Sequence, residues 1–227
     1  SDCGIEGAAP THPELLDWLA TELIANNWST KHIHRQIVMS STYQQQRKHN
    51  AANAAIDFDN RLLWRWPRRR LEAEVIRDSV LVATGELDRS LGGASVPPER
   101  EEEELRRTIY LFQQRSSMPS VMEMFDAPAG IASCSRRAVS TVALQPLFML
   151  NSQFMAKRAT ALANAVLASA SDIDQQIEFA FRRTLSRKPD TDEFALARAI
   201  MGSETSEQSL MQLCHALLNL NEFVYMP

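Results

Sequence analysis

Glycine is scarce in this chain, seven in 227 residues, about half of ordinary usage, and that scarcity argues against a sandwich or barrel built on many tight turns. Cysteine is scarcer still. Cys3, Cys134 and Cys214 are odd in number and far apart, so they form neither a disulfide framework nor a Cys-x-x-Cys metal pair. Covalent haem attachment requires Cys-x-x-Cys-His, and ahead of Cys214-His215 position 211 is Met, so no haem c is expected on this chain. No run of about 18 apolar residues is present to span a membrane. An initiating methionine and a secretory apolar segment are both missing ahead of Ser1-Asp2-Cys3-Gly4, which suggests a fragment of a larger polypeptide. No charge sign dominates either: the net charge is −4 with acids and bases interleaved, so nucleic acid is not an expected partner. Phosphate-loop, nucleophile-elbow and dinucleotide fingerprints are lacking as well.

What is present favours helices. Hydrophobic residues make up 44% of the chain, enough for a real core, and Ala, Leu, Glu, Gln, Met and Arg are plentiful helix formers. The expected fold is mainly α: a single helical domain or bundle over residues 1–227, with long irregular loops and at most a short strand element. Thr11 with Pro13 and Glu14 opens a helix running to about Asn26, and Ser29 or Thr30 caps a second, so the pair reads as an αα-hairpin. Residues 44–59 are polar and aperiodic, which reads as a loop. A third helix is expected from Pro67 to Gly85. Residues 88–104 collect Gly92-Gly93, Pro97-Pro98 and four consecutive glutamates, the composition of a mobile loop. Thr108-Ile109-Tyr110-Leu111-Phe112 is the one β-branched and aromatic run and offers a short strand. Beyond Ser140 the expected helices begin near Pro146, after a Ser171 cap, at Thr191, and along the stripe of Leu210, Leu213, Leu217 and Leu218.

Two places carry candidate binding residues, and no catalytic residue is evident in either. The first is Arg68, Arg69, Arg70, Glu74, Arg77 and Asp78. On a helix from Pro67, the last four stand three or four positions apart and pair as an ion network. Arg68 and Arg69 at the helix start could instead clamp a phosphate, sulfate or carboxylate, with Trp64 and Trp66 available to stack on guanidinium or sugar rings. The second place is the polar stretch holding Asp126, Arg136 and Arg137, where Asp126 and an arginine could form a simple loop clamp. Metal ligands are not expected: His32 and His34, two positions apart, point away from each other on a helix.

Several segments occur together in one order: Pro10-Thr11-His12-Pro13-Glu14-Leu15-Leu16-Asp17, Asn60-Arg61-Leu62-Leu63-Trp64-Arg65, Arg68-Arg69-Arg70-Leu71-Glu72-Ala73-Glu74 and Asn219-Leu220-Asn221-Glu222-Phe223. On these the chain resembles the C-terminal domain of unknown function (family 1553) of large exported planctomycete proteins. The resemblance implies a multidomain, extracytoplasmic polypeptide with a cytochrome c module elsewhere, so that haem c would sit on another domain. It implies other domains of the same polypeptide as partners, with polysaccharide as a further candidate, and it carries over no catalytic residue. Two departures from the family pattern are Cys3 after Ser1-Asp2 and Leu220 between the last two asparagines. The leading expectation is a helical structural or interaction module; the alternative is an enzyme domain acting on a carbohydrate or other anionic substrate through an arginine-rich site.

Overall fold

The structure is a computed structural model that describes residues 9–46, 48–114, 118–130, 137–202 and 206–226. The described residues form eleven α-helices and two short 3-10 turns, with no strand, so the chain is mainly α. It divides into two compact units, one reaching Arg69 and the other running from Arg70 to Met226.

The first unit contains α1 (Pro13–Ala25), α2 (Thr30–Met39) and α3 (Ala51–Ile56). His12, rather than Thr11, stands at the cap position of α1, and Pro13 with Glu14 makes its first turn, where a missing N–H and a negative charge are both favourable. The chain reverses through Asn27 and Trp28, which both adopt left-handed φ of 53° and 58°. A side chain as large as tryptophan adopts that conformation only when the surroundings compel it, at about 1–3 kcal/mol. Ser29 then caps α2 by accepting the His32 N–H at 3.3 Å. His32 Nε2 lies 3.0 Å from Glu22 Oε2 and ties the two helices together. The polar stretch after α2 is not wholly irregular, because Asn50 accepts the N–H groups of Ala52 and Asn53 at 2.9 and 3.2 Å and so starts α3. None of these three helices contains a buried residue.

The second unit holds α4 (Ala73–Thr84), α5 (Ser120–Met124), α6 (Leu144–Asn151), α7 (Gln153–Ser169), α8 (Ile173–Leu185), α9 (Thr191–Met201), α10 (Glu207–Leu218) and α11 (Asn221–Val224). Its centre is α7, against which α4, α6, α8 and α10 pack. Ala159, Leu162, Ala163 and Val166 of α7 are fully buried, and the two alanines let neighbouring backbones approach closely. Leu210, Cys214 and Leu218 of α10 are equally buried.

The third expected helix starts later than its sequence suggests. Arg70 pairs with Tyr225 as an isolated antiparallel bridge, and Leu71 N–H donates to Val224 O at 2.8 Å, so this stretch is extended and α4 begins only at Ala73. Its expected end holds: Gly85 adopts φ 82° and closes the helix in left-handed geometry. The strand expected at Thr108–Phe112 is a 3-10 turn over Thr108–Tyr110, with only single bridges from Val96 to Leu111 and from Asp88 to Arg106. The long helix expected around Pro146 is two helices broken at Ser152, whose hydroxyl caps α7 by accepting the Met155 N–H. Asp172, not Ser171, caps α8.

Candidate functional site

The sequence-derived candidates fall into two places of different character. Arg68 and Arg69 belong to the first unit. They line a cleft of about 850 Å³ together with Lys48, Asp59, Arg65 and Trp66. Because α4 starts at Ala73, neither arginine stands at a helix N-terminus, and no helix dipole favours an anion beside them.

The turn forming one wall of that cleft is held by its own polar side chains. Asp57 accepts the N–H groups of Arg61 and Leu62 at 2.9 and 2.7 Å, and its carbonyl accepts Trp64 Nε1 at 2.8 Å. Asn60, in left-handed geometry with φ 55°, brackets Arg65 by donating to its carbonyl at 2.8 Å and accepting its N–H at 3.2 Å. The Arg65 guanidinium lies over the Trp64 ring at 4.9 Å. A second hollow of about 570 Å³ opens beside the cleft; Leu15, Trp18, Ile37, Met39 and Tyr43 contribute to its largely apolar walls. Leu63 and Trp66 line both hollows, and Tyr43 meets the Trp66 ring edge-on at 5.1 Å between centroids.

The remaining described candidates sit in the second unit as clamps between its segments. Arg77 is 1% exposed, and its guanidinium donates to the carbonyls of Glu104 at 2.5 Å and Arg106 at 2.9 Å, with Thr108 Oγ1 at 3.3 Å and Glu101 O at 3.4 Å. Burial is the strongest influence on its pKa and lowers it, against the opposing pull of Asp78. Asp78 takes the other side of the same loop: it accepts the Thr108 N–H and hydroxyl, both at 2.7 Å, and meets Arg107 Nε at 3.2 Å. One helix turn thus holds residues 101–108 through acceptors by Arg77 and through donors by Asp78.

Arg70 does not pair with Glu74. It is nearly buried and donates to Asp126 Oδ2 at 2.6 Å and to Phe125 O at 3.2 Å, with its guanidinium 5.2 Å from the Phe125 ring centre. Asp126, at φ 60°, also accepts the Ser140 N–H and hydroxyl at 2.8 Å. Burial pushes the Asp126 pKa up, but the Ser140 hydrogen bonds and the Arg70 charge outweigh it and hold the carboxyl below its ordinary value. The loop-clamp reading offered Arg136 or Arg137 as the partner of Asp126; Arg137 instead meets Glu74 at 2.8 Å and Glu72 at 3.2 Å, so the Arg136 alternative is untested. For Glu74 burial again pushes upward, and the Arg137 contact brings the net shift below the ordinary range. Arg136 and Cys134 lie outside the described residues.

A model of the family described as "PSD1: Protein of unknown function (DUF1553)" matches residues 1–201. The chain belongs to the DUF1553 family. No curated protein and no solved structure matches it.

Two polar features of this DUF1553 chain escaped sequence reasoning. Arg187 grips Glu193 with both terminal nitrogens at 2.6 Å and Glu222 through Nε and Nη2 at 2.8 and 2.7 Å, joining the end of α8 to the starts of α9 and α11. The Arg187 pKa is raised, and Glu193 is lowered to about 2, chiefly by the Arg187 hydrogen bond. The available signal was local: Asp190 and Glu193 form a capping box, which places Glu193 beside the helix start. The second feature is Arg158, 6% exposed and 3.1 Å from Glu86 on another segment.

The chemistry available is correspondingly limited. Among the described residues no group of three or more His, Cys, Asp or Glu side chains is placed to hold a metal ion, and no helix is long and apolar enough to cross a membrane. The candidate carboxylates of the second unit are engaged with arginine or backbone donors, and the carboxylate in the first-unit cleft, Asp59, is open to solvent.

Proposed function

We propose that this DUF1553 chain is a helical interaction module that docks other domains of a larger, exported multidomain polypeptide of planctomycete type, one of which carries haem c. The observation carrying this reading is the apolar surface of the first unit. No residue of α1 or α2 is buried, while Leu16, Trp18, Ile24, Trp28, Val38 and Met39 stand between 43% and 70% exposed. Large apolar side chains collected on a helix pair and its connecting turn mark a surface that another protein covers. The second unit differs in having a buried hydrophobic core, with arginines such as Arg70 and Arg77 tied to neighbouring segments, which suits a scaffold, although it too exposes apolar side chains such as Leu91 and Ile109.

The test is photo-crosslinking in the intact polypeptide, with a benzophenone amino acid at position 39 and a control at Leu196, an exposed residue of the second unit. Crosslinks from position 39 to another domain, with few from position 196, support the module. Equal yields at the two positions contradict it.

A further inference from the structure

The two hollows of the first unit adjoin across Leu63 and Trp66 and have opposite chemistry. The apolar one is open rather than enclosed: Met39 is 69% exposed and Trp18 47% exposed at its wall. An acyl chain lying there would remain half in water, whereas a helix presents one apolar face to such a groove and leaves its other face solvated. Among the described residues, Lys48, Arg65 and Arg69 line the neighbouring cleft together with Arg68, and Asp59 is the carboxylate there, so cations outnumber it even with Arg68 set aside. This local excess of positive charge stands in a chain whose net charge is −4. A partner that fills both hollows must therefore be apolar along one stretch and acidic at its end.

We propose that the groove and the cleft together bind an amphipathic, acid-ended segment of a protein partner, its apolar side chains against Trp18, Ile37 and Met39 and its carboxylates against Lys48, Arg65 and Arg69. This rests on the docking reading above and adds the chemistry of the partner. Trp66 and Leu63 form the boundary at which the partner changes from apolar to acidic. The turn around Asn60 fixes the Arg65 backbone before binding, so little of its main-chain freedom remains to be lost on association.

The test uses the full chain and synthetic fluorescein-labelled helical peptides of about five turns, read by fluorescence anisotropy. One peptide carries an apolar stripe and three terminal glutamates, made with the acidic end at either terminus; the second has lysine in place of glutamate; the third keeps the glutamates and loses the stripe. Expected is saturable binding of one acidic amphipathic peptide, weakened about tenfold or more by the lysine exchange, by loss of the stripe, and by moderate salt. Met39→Glu and Arg69→Glu should each weaken it about tenfold as well, and both positions are exposed, so circular dichroism should show the helices unchanged. Lys48→Glu is a second variant of the cleft, should Arg69→Glu disturb the fold.

Equal binding of glutamate and lysine peptides overturns the acidic requirement and leaves the docking reading standing. Failure of every peptide, with position-39 crosslinks retained in the intact polypeptide, overturns the partner chemistry alone. Failure of both removes both. Tighter binding of a sulfated oligosaccharide that is indifferent to Met39→Glu would reassign the cleft to a glycan and also overturn the proposal.

Discussion

Replacing Arg77 with alanine should cost the second unit about 3 kcal/mol. The guanidinium is 1% exposed and donates at 2.5 and 2.9 Å to the carbonyls of Glu104 and Arg106, with two longer contacts beyond 3.2 Å. A hydrogen bond from a charged donor contributes roughly 1.5–3 kcal/mol net, so the two short bonds set the scale and the longer ones add little. Two effects work against the loss: the chain no longer desolvates a guanidinium, and water entering the vacated space can satisfy part of the carbonyls. The balance leaves about 3 kcal/mol. The partner lost is a loop backbone, not the carboxylate that the sequence pattern suggested. With a urea m-value of about 2–3 kcal/mol/M for a unit of this size, the midpoint should fall by about 1 M or more. Circular dichroism is the suitable probe, because all four tryptophans (Trp18, Trp28, Trp64, Trp66) precede Arg70 and report on the first unit instead. Arg77→Lys keeps the charge but not the planar fork, and should fall between wild type and alanine. A loss below about 1 kcal/mol for Arg77→Ala refutes the clamp. The same titration tests the single cooperative domain expected from composition: coincident fluorescence and dichroism midpoints support it, and separated midpoints count against it.

Other expectations follow from local geometry. Gly85→Ala forces a methyl group into φ 82° and to 2.7 Å from Arg183 Nη2, so a loss of about 1–2 kcal/mol is expected in urea unfolding, mostly from the left-handed backbone since the arginine tip can move. Glu193 has a folded pKa of about 2 against an ordinary 4.5; a depressed carboxyl contributes its full stability above pH 4.5 and loses it as pH falls toward 2. Stability measured across that window should decline in wild type and decline less in Glu193→Gln, and parallel curves would show that the Arg187 grip contributes little. Cys214 is fully buried and its thiol is pushed up to about 12, so iodoacetamide at pH 8 should leave it unmodified in the native chain and label it after unfolding; native labelling at the unfolded rate would contradict its place in the core.

Local signals were legible in the sequence, and long-range pairings were not. The α1–α2 hairpin, the Ser29 cap and the Gly85 stop each depend on residues within a turn of one another, and they appear where the pattern indicates. The start of α4 does not: Arg70 and Leu71 are held extended by Tyr225 and Val224, more than 150 residues away in sequence, and this contact overrides the proline signal at Pro67. The Thr108 run has strand propensity but no neighbouring strand among the described residues, and Asp78 and Arg77 fasten it as a 3-10 turn instead. Among the candidate residues, the arginine and carboxylate types were visible while their partners were not. Arg70 meets Asp126 across 56 positions and Arg137 meets Glu74 across 63, separations at which no helical spacing rule operates. The same holds for the cleft, where Lys48 joins Arg65, Arg68 and Arg69 from the far side of α3.

The most direct test of the docking account is amide hydrogen exchange of α1 and α2, measured in the separate chain and again within the intact polypeptide. If another domain covers the exposed faces around Leu16, Trp18 and Met39, the amides of Pro13–Ala25 and Thr30–Met39 should exchange about tenfold or more slowly in the intact polypeptide, while those of α7 keep their rates. Identical rates for α1 and α2 in the two settings would contradict the account.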